Sequence, residues 1–384
     1  MKKTIGMLAV LAAVTAMAAP VVKVGYEAAE KIGVAVDVAN ADFAKSLQRN
    51  LVLSGCFKLD KGGSVKVSGA VGEAIVVTGA GKKLTLPSSA ADAAAARMEA
   101  RRLSDRMCEV YANQRGFACD RVAFVSRKSM GVSELCVAYP DGSDISQLTS
   151  DGKSVVGPRW KDKDTILFTG LYDSGPQIFE INLATMKRKL RWSFKGLATG
   201  AAVSPDGTRV AMILSLHGNP ELYVIDVAAG TWNRLTTTRL ASEGQPSWSP
   251  DGREIAYVSD ETRHPQLYVV DVATKKKRRI TSKGSQNIDP DWGPDGRITY
   301  ITKRDGQSVV AVMDPQADDR SAELVTAPGT WEHPSWARDG RHVVANRDKA
   351  LFVVDTFDRD HGGTEPVQLF RAAGEWITPC WMKK

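Results

Sequence analysis

From Arg121 to the end of the chain, short apolar runs alternate with polar turns at a spacing that repeats. In one copy, Glu254 to Ser259 reads as a strand, a polar loop follows, Gln266 to Asp271 reads as a second strand and Lys276 to Thr281 as a third. Each set is preceded by a segment carrying Pro-x-Trp. These are Gly157-Pro158-Arg159-Trp160, Gln245-Pro246-Ser247-Trp248, Asp289-Pro290-Asp291-Trp292, His333-Pro334-Ser335-Trp336 and Thr378-Pro379-Cys380-Trp381. Successive prolines from Pro246 onward lie 44, 44 and 45 residues apart. The gap from Pro158 to Pro246 is 88 residues, with a degenerate copy, Ala201-Ala202-Val203-Ser204, in its middle. Six copies of one strand are therefore predicted.

The segment after that strand is spelled Ser204-Pro205-Asp206-Gly207, Ser249-Pro250-Asp251-Gly252, Gly293-Pro294-Asp295-Gly296 and Ala337-Arg338-Asp339-Gly340. Proline presets φ, aspartate bonds to backbone within the turn and glycine takes a left-handed conformation without steric cost, so each is a hairpin turn. Four antiparallel strands in about 44 residues is the signature of a propeller blade. The ends of the array are out of phase. Residues from Arg121 to Thr149 supply second, third and fourth strands with no first strand, whereas Ile377 to Trp381 is a first strand with nothing after it. Together they complete one blade, which predicts a six-bladed β-propeller closed by its C-terminal strand.

Ahead of the ring the periodicity changes. Lys31 to Val38 and Cys56 to Leu59 read as strands. Between them Ala41 to Leu53 reads as an amphipathic helix with Phe43, Leu47 and Leu51 on one side. Short strand candidates follow at Ser64 to Val71, Ala74 to Thr78 and Lys82 to Leu86, then a helix from Ser89 to Tyr111 capped by Ser88 or Ser89. The fold class is thus mainly β, with a small α/β domain over residues 20–118 and the propeller over 119–384. Residues 1–19 carry Lys2 and Lys3, an uncharged run and small residues at its end, the pattern of a cleaved export signal. An uncleaved anchor is the alternative, but the run is short and weakly apolar for a bilayer span. The expected compartment is the periplasm, with the mature protein not membrane-spanning.

The formal charge of +7 falls to about +5 without that leader, a mild balance with no nucleic-acid partner implied. The one concentrated basic stretch, Lys275 to Arg279, falls on the outermost strand of a blade, where charge discourages strand-on-strand aggregation. Five cysteines, Cys56, Cys108, Cys119, Cys136 and Cys380, leave at least one unpaired. Cys108 near a helix end and Cys119 in the loop after it are the disulfide candidates. Cys136 and Cys380 share a blade on strands that are not neighbours.

Leader, α/β domain and Pro-Asp-Gly propeller, in that order, resemble the TolB family of periplasmic Tol-Pal components. The resemblance spans the chain and is carried by Ile32-Gly33-Val34-Ala35-Val36, by Leu47-Gln48-Arg49-Asn50 running to Ser54-Gly55-Cys56-Phe57, by Arg121-Val122-Ala123-Phe124-Val125 and by the Ser-Pro-Asp-Gly turns. The chain departs from the family in its N-terminal domain, which is short and Gly-rich between Lys61 and Lys83. The resemblance implies a scaffold, likewise monomeric, that links an outer-membrane peptidoglycan-associated lipoprotein (Pal-like) to an inner-membrane TolA-like protein. In that role it maintains outer-membrane integrity and aids cell division. Family members use the extreme N-terminus for the second partner. Here Val21, Val22, Val24 and Tyr26 would add as a strand to a partner's sheet, or form the first strand of their own domain.

No nucleophile elbow, phosphate loop or His-Glu-x-x-His occurs, so the expected protein is not an enzyme and needs no cofactor. In the repeat frame one face of the ring gathers Glu243, Gln245, His264, Asp289, Glu332, His333 and Glu375. Two off-register tryptophans, Trp331 and Trp376, flank the same mouth. These are the partner-binding candidates, whereas Trp160, Trp248, Trp292, Trp336 and Trp381 recur in register as packing between blades. A lyase or peptidase-like enzyme with a site at this mouth, and a ligand-sensing propeller, are the alternatives. The carboxylates would admit a cation such as Ca²⁺ without fixing its ligands.

Overall fold

Why the innermost strands repeat is visible in their turns. In the computed structural model, which describes residues 30–317, 319–357, 365–369 and 374–383, the Ser204 carbonyl accepts from Gly207 N at 2.9 Å. Asp206 Oδ1 accepts from Thr208 N at 3.0 Å and Ser204 Oγ from Arg209 N at 2.9 Å. Ser249 and Asp251 repeat the arrangement on Arg253 N and Glu254 N. Each turn feeds an antiparallel hairpin. Six four-stranded sheets result, whose innermost strands are Ser154–Asp162, Ala198–Val203, Glu243–Trp248, Gln286–Trp292, Glu332–Trp336 and Glu375–Trp381. They define blades 1 to 6.

Blade 6 is composite. Its innermost strand pairs antiparallel with Val122–Ser129, matching Trp381 to Val122 and Glu375 to Arg127, and Val132–Ala138 and Ser146–Gln147 complete it. Innermost strands of neighbouring blades touch all the way round, including those of blades 6 and 1. The six-bladed, strand-closed ring read from the repeat is therefore the observed fold.

The five in-register tryptophans are buried between blades. Trp160 Nε1 donates to the Cys380 carbonyl at 3.0 Å and Trp248 Nε1 to that of Ala202 at 2.9 Å, each on the preceding blade. Arginines just past the turns strengthen these seams. Arg209 lies 4.8 Å from the Trp248 ring and donates to the Gly252 carbonyl at 2.9 Å; Arg297 lies 5.0 Å from Trp336 and donates to that of Gly340 at 2.8 Å. The basic stretch around Lys277–Arg279 is the outermost strand of blade 3.

The N-terminal domain is a five-stranded sheet: β1 (Ile32–Val38), β2 (Phe57–Leu59), β3 (Val65–Gly69), β4 (Ala74–Gly79) and β5 (Lys82–Pro87), in the order β2-β1-β3-β4-β5. The pairs β1–β2 and β1–β3 are parallel and the rest antiparallel. Helix α1 (Ala41–Leu53) starts at Asn40, whose Oδ1 accepts from Phe43 N at 2.9 Å, and buries Phe43, Leu47 and Leu51. Each such side chain contributes about 2 kcal/mol of burial. Helix α2 (Ala93–Ala112) begins later than the serines suggested, because Asp92 caps it through Ala95 N at 2.8 Å. Ser88 and Ser89 instead bind Glu99 from outside the helix.

Both helices grip one turn of blade 6. Asp141, in Tyr139-Pro140-Asp141-Gly142, accepts from Ser46 Oγ at 2.6 Å and Asn50 Nδ2 at 3.2 Å on α1, and from Arg101 Nε at 3.1 Å on α2. Arg101 is fully buried, lies 3.8 Å from the Tyr139 ring and also reaches Asp144 at 2.7 Å. Burial opposes ionisation of Asp141, but Arg101 and the hydroxyls of Ser143 and Ser46 outweigh it and hold the carboxyl below its ordinary range. The connector after α2 is anchored as well, since Asp105 accepts from Ala118 N and Cys119 N, and Phe117 packs on Trp381 at 5.1 Å.

All five thiols are free. The Cys108–Cys119 pairing is not formed: Cys119 sits at Asp105, which accepts from its backbone N–H, while Cys108 is buried in the core cluster against which Cys56 packs. Residues 1–29, with the leader and the segment Val21, Val22, Val24 and Tyr26, lie outside the described residues.

Removal of residues 377–384 takes Trp381 and its strand from blade 6. The truncated protein is expected to melt at least about 10 °C below the full chain, followed by circular dichroism. A midpoint within about 2 °C would contradict strand closure.

Candidate functional site: the channel mouth

Each innermost strand breaks its pairing at the same step. The residue there has a positive φ: Gly157 at 56°, Gly200 at 72°, Gln245 at 52°, Asp289 at 55°, His333 at 49° and Thr378 at 47°. The register slips at each of these points. Such a bulge re-aims side chains, and holding a non-glycine residue in this region costs on the order of 1 kcal/mol. The ring of bulges is asymmetric, with glycine on blades 1 and 2 and longer polar residues on blades 3 to 5.

Those three polar residues form a chain across the blades. Gln245 Nε2 donates to Asp289 Oδ1 and Gln245 Oε1 accepts from Asp289 N at 2.9 Å. Asp289 Oδ2 accepts from His333 N at 3.0 Å, with His333 Nδ1 3.1 Å from Oδ1. Burial opposes the charge on both partners. Their attraction and hydrogen bonds win, holding Asp289 below the ordinary carboxylate range and raising His333 above that of a free imidazole.

The other candidates separate. Glu332 is exposed and accepts from Asn346 Nδ2 at 2.9 Å, Glu375 pairs with Lys349 at 2.5 Å, and His264 is exposed in its loop. Glu243 is not a rim residue. It is buried under the mouth, where Thr238 Oγ1 at 3.2 Å and Ser259 Oγ at 3.3 Å bind it. Burial first, and then the neighbouring Glu221, push its pKa up to about 7. Trp331 is not a contact residue either. It is 0% exposed, donates to the Ala327 carbonyl at 2.9 Å and packs on Phe352 at 5.6 Å. Trp376 packs edge-on against Phe124 at 5.4 Å, within the core between blades 5 and 6. Among the described residues no His, Cys, Asp and Glu side chains are grouped to hold a metal ion. The carboxylates of Glu243, Asp289, Glu332 and Glu375 are each engaged by different partners.

What the repeat frame missed is an apolar arc on the opposite side of the mouth. Met130 is 99% exposed and Leu240 91%, and Leu171, Leu197 and Leu216 are each more than 40% exposed. All five lie where innermost strands begin or where second and third strands join, on blades 6, 1 and 2 and the approach to blade 3. Met130-Gly131 at a hairpin tip was the available signal. Beside Met130 a groove of about 840 Å³ runs along Arg127, Val155, Lys349 and Glu375. The far end of the channel is the turn end. A cavity of about 270 Å³ there is lined by Arg159, Trp248 and Asp291, and Lys383 Nζ reaches Asp291 Oδ1 at 2.7 Å. The N-terminal domain binds turns at this same far end, which leaves the mouth uncovered by it.

Sequence, fold and face together define a six-bladed, strand-closed propeller that carries an α/β domain on its turn end, with no described residue of that domain at the mouth. The model of the TolB beta propeller domain matches residues 109–384, and the chain belongs to that family. "Tol-Pal system protein TolB" from Gluconobacter oxydans is 27% identical over 292 residues, which is 73% of this chain and 63% of that protein. The protein of the same name from Anaeromyxobacter sp. strain K is 29% identical over 170 residues, or 44% of this chain. The matched stretch spans only 38% of that Anaeromyxobacter relative's length. The crystal structure of TolB from Acinetobacter baumannii superposes with a TM-score of 0.81 at 22% identity, covering 92% of this chain and 97% of that one, a likeness of fold.

A raised carboxyl keeps a proton in the folded state that the unfolded chain has lost, so Glu243 lowers stability as pH rises from about 4.5 to about 7. Replacing it by glutamine is expected to gain roughly 2 kcal/mol on wild type between pH 5 and pH 8, measured by urea unfolding at both. An unchanged difference between the two proteins would contradict the assignment.

Proposed function

We propose that this protein is a non-enzymatic scaffold of the Tol-Pal system in the periplasm, and that the propeller mouth is where it docks a peptidoglycan-associated lipoprotein. The observation that carries this reading is the make-up of the mouth: exposed Met130, Leu171, Leu197, Leu216 and Leu240 on one stretch of the ring and the hydrogen-bonded Gln245, Asp289 and His333 on another, with Glu332 and Glu375 beside them on their own partners. Contiguous exposed apolar side chains rimmed by polar groups are the anatomy of a protein-binding face. Family membership and relatives named as Tol-Pal system proteins support a partner within that system. The N-terminal segment with Val21, Val22, Val24 and Tyr26 is assigned to an inner-membrane TolA-like partner. Linking the two membranes in this way would support outer-membrane integrity and cell division. Among the described residues no helix is long and apolar enough to cross a membrane, and the scaffold is proposed to act as a monomer.

Capture of the lipoprotein's soluble domain by the immobilised mature protein tests the proposal. Met130→Glu with Leu240→Glu is expected to weaken binding at least tenfold, as is Glu332→Lys with His333→Ala. The melting midpoint of the first variant should stay within about 2 °C, because both side chains are exposed. Wild-type affinity in both variants, or no capture by wild type, would overturn the docking site.

A further inference from the structure

Cys56 and Cys108 are the one pair of thiols that the fold brings into contact, and they meet where the two domains join. Cys56 immediately precedes β2 and is partly exposed, whereas Cys108 on the last turns of α2 is buried in the core cluster against which Cys56 packs. The two thiols influence each other's ionisation, Cys108 favouring the Cys56 thiolate. Their surroundings close a circuit: the Cys108 carbonyl accepts from Gln114 N at 3.1 Å, Gln114 Oε1 accepts from Arg341 Nη1 at 3.3 Å, and Arg341 Nη1 lies 3.7 Å from Cys56 Sγ. Arg341 follows its turn as Arg297 does, yet it does not cap the next blade. It is held by Asp355 at 2.8 Å and turned toward the N-terminal domain.

The other three cysteines have no such partner. Cys119 faces Asp105, and burial raises its thiol well above the ordinary range. Cys136 and Cys380 sit in different core clusters of blade 6, on strands separated by a third.

We propose that Cys56 and Cys108 form a redox-active dithiol that closes to a disulfide by exchange with a disulfide-bearing oxidant, a small molecule or an oxidoreductase. Cys56 is the entry point. It is the more exposed of the two, and the Cys108 thiol, offset in part by burial and helped by Arg341, lowers its pKa to about 7. The Cys56 thiolate attacks one sulfur of the oxidant and expels the first thiolate, leaving a mixed disulfide. Cys108 then loses its proton to solvent and attacks Cys56 Sγ, releasing the second thiolate. Two protein thiols are oxidised and one oxidant disulfide is reduced to two thiols. The bond ties the start of β2 to α2, closes a loop through most of the domain and takes from Arg341 its sulfur partner.

Oxidised glutathione is the probe. The reduced mature protein is incubated with it at pH 7.5, trapped with N-ethylmaleimide and mapped by peptide mass spectrometry. The expected result is loss of two of the five free thiols, a peptide joining Cys56 to Cys108 and no retained glutathione. Cys119→Ser should keep that link, and Cys108→Ala should strand glutathione on Cys56. The linked protein should melt about 5 °C or more above the reduced form. Five alkylated thiols, a Cys108–Cys119 link, stable glutathione on wild-type Cys56, or a link without a change in melting would each overturn the proposal.

Discussion

The pairing of Glu375–Trp381 with Val122–Ser129 is the constraint on which the rest of the molecule depends. A ring of twisted sheets has no free edge only when the two ends of the chain share a sheet, and here the last strand fills the innermost place of the blade that the first propeller strand opens. That pairing also fixes the N-terminal domain. Trp381 receives Phe117 from the connector, and the third strand of the same blade leads into the turn that carries Asp141. The closing blade is therefore both the clasp of the ring and the socket for the second domain.

From this follows the asymmetry of the two ends. The α/β domain binds turns of blades 5 and 6 through Arg101, Arg341 and Arg49, the last donating to the Gln368 carbonyl. Seam arginines that elsewhere cap a neighbouring blade are redirected there, as Arg341 shows. The opposite end keeps its loops, its bulged strands and its exposed apolar side chains. A surface of that kind loses water from apolar area when a partner covers it, and the hydrogen bonds among Gln245, Asp289 and His333 hold their polar groups in one fixed pattern.

The ring was legible in the chain because proline, aspartate and glycine mark backbone conformations, and four like turns beside five Pro-x-Trp strands make a strong periodic signal. Its phase could be read because the two incomplete fragments were complementary. The mouth was less legible. A repeat frame locates a residue along a strand but does not say whether its side chain turns in or out after a bulge, so Glu243 and Trp331 read as rim residues and proved buried. Met130 and Leu240 carry no periodic mark at all, and their exposure is a property of loop tips that only the assembled ring reveals. Cys108 illustrates the same limit, since nearness in sequence favoured Cys119 while the sheet brought Cys56 across from a distant segment.

The central claim is that the mouth, not the domain junction, receives the lipoprotein partner. Amide hydrogen exchange of the mature protein, alone and saturated with that partner's soluble domain, tests it most directly. The account predicts slowed exchange confined to the mouth, at the loops around residues 128–132, 171–175, 195–199, 215–219 and 238–245 and at residues 286–289, 330–334 and 374–376, with α1, α2 and residues 139–144 unchanged. Slowing at α1, α2 and the Asp141 turn, with the mouth loops unaffected, would contradict it.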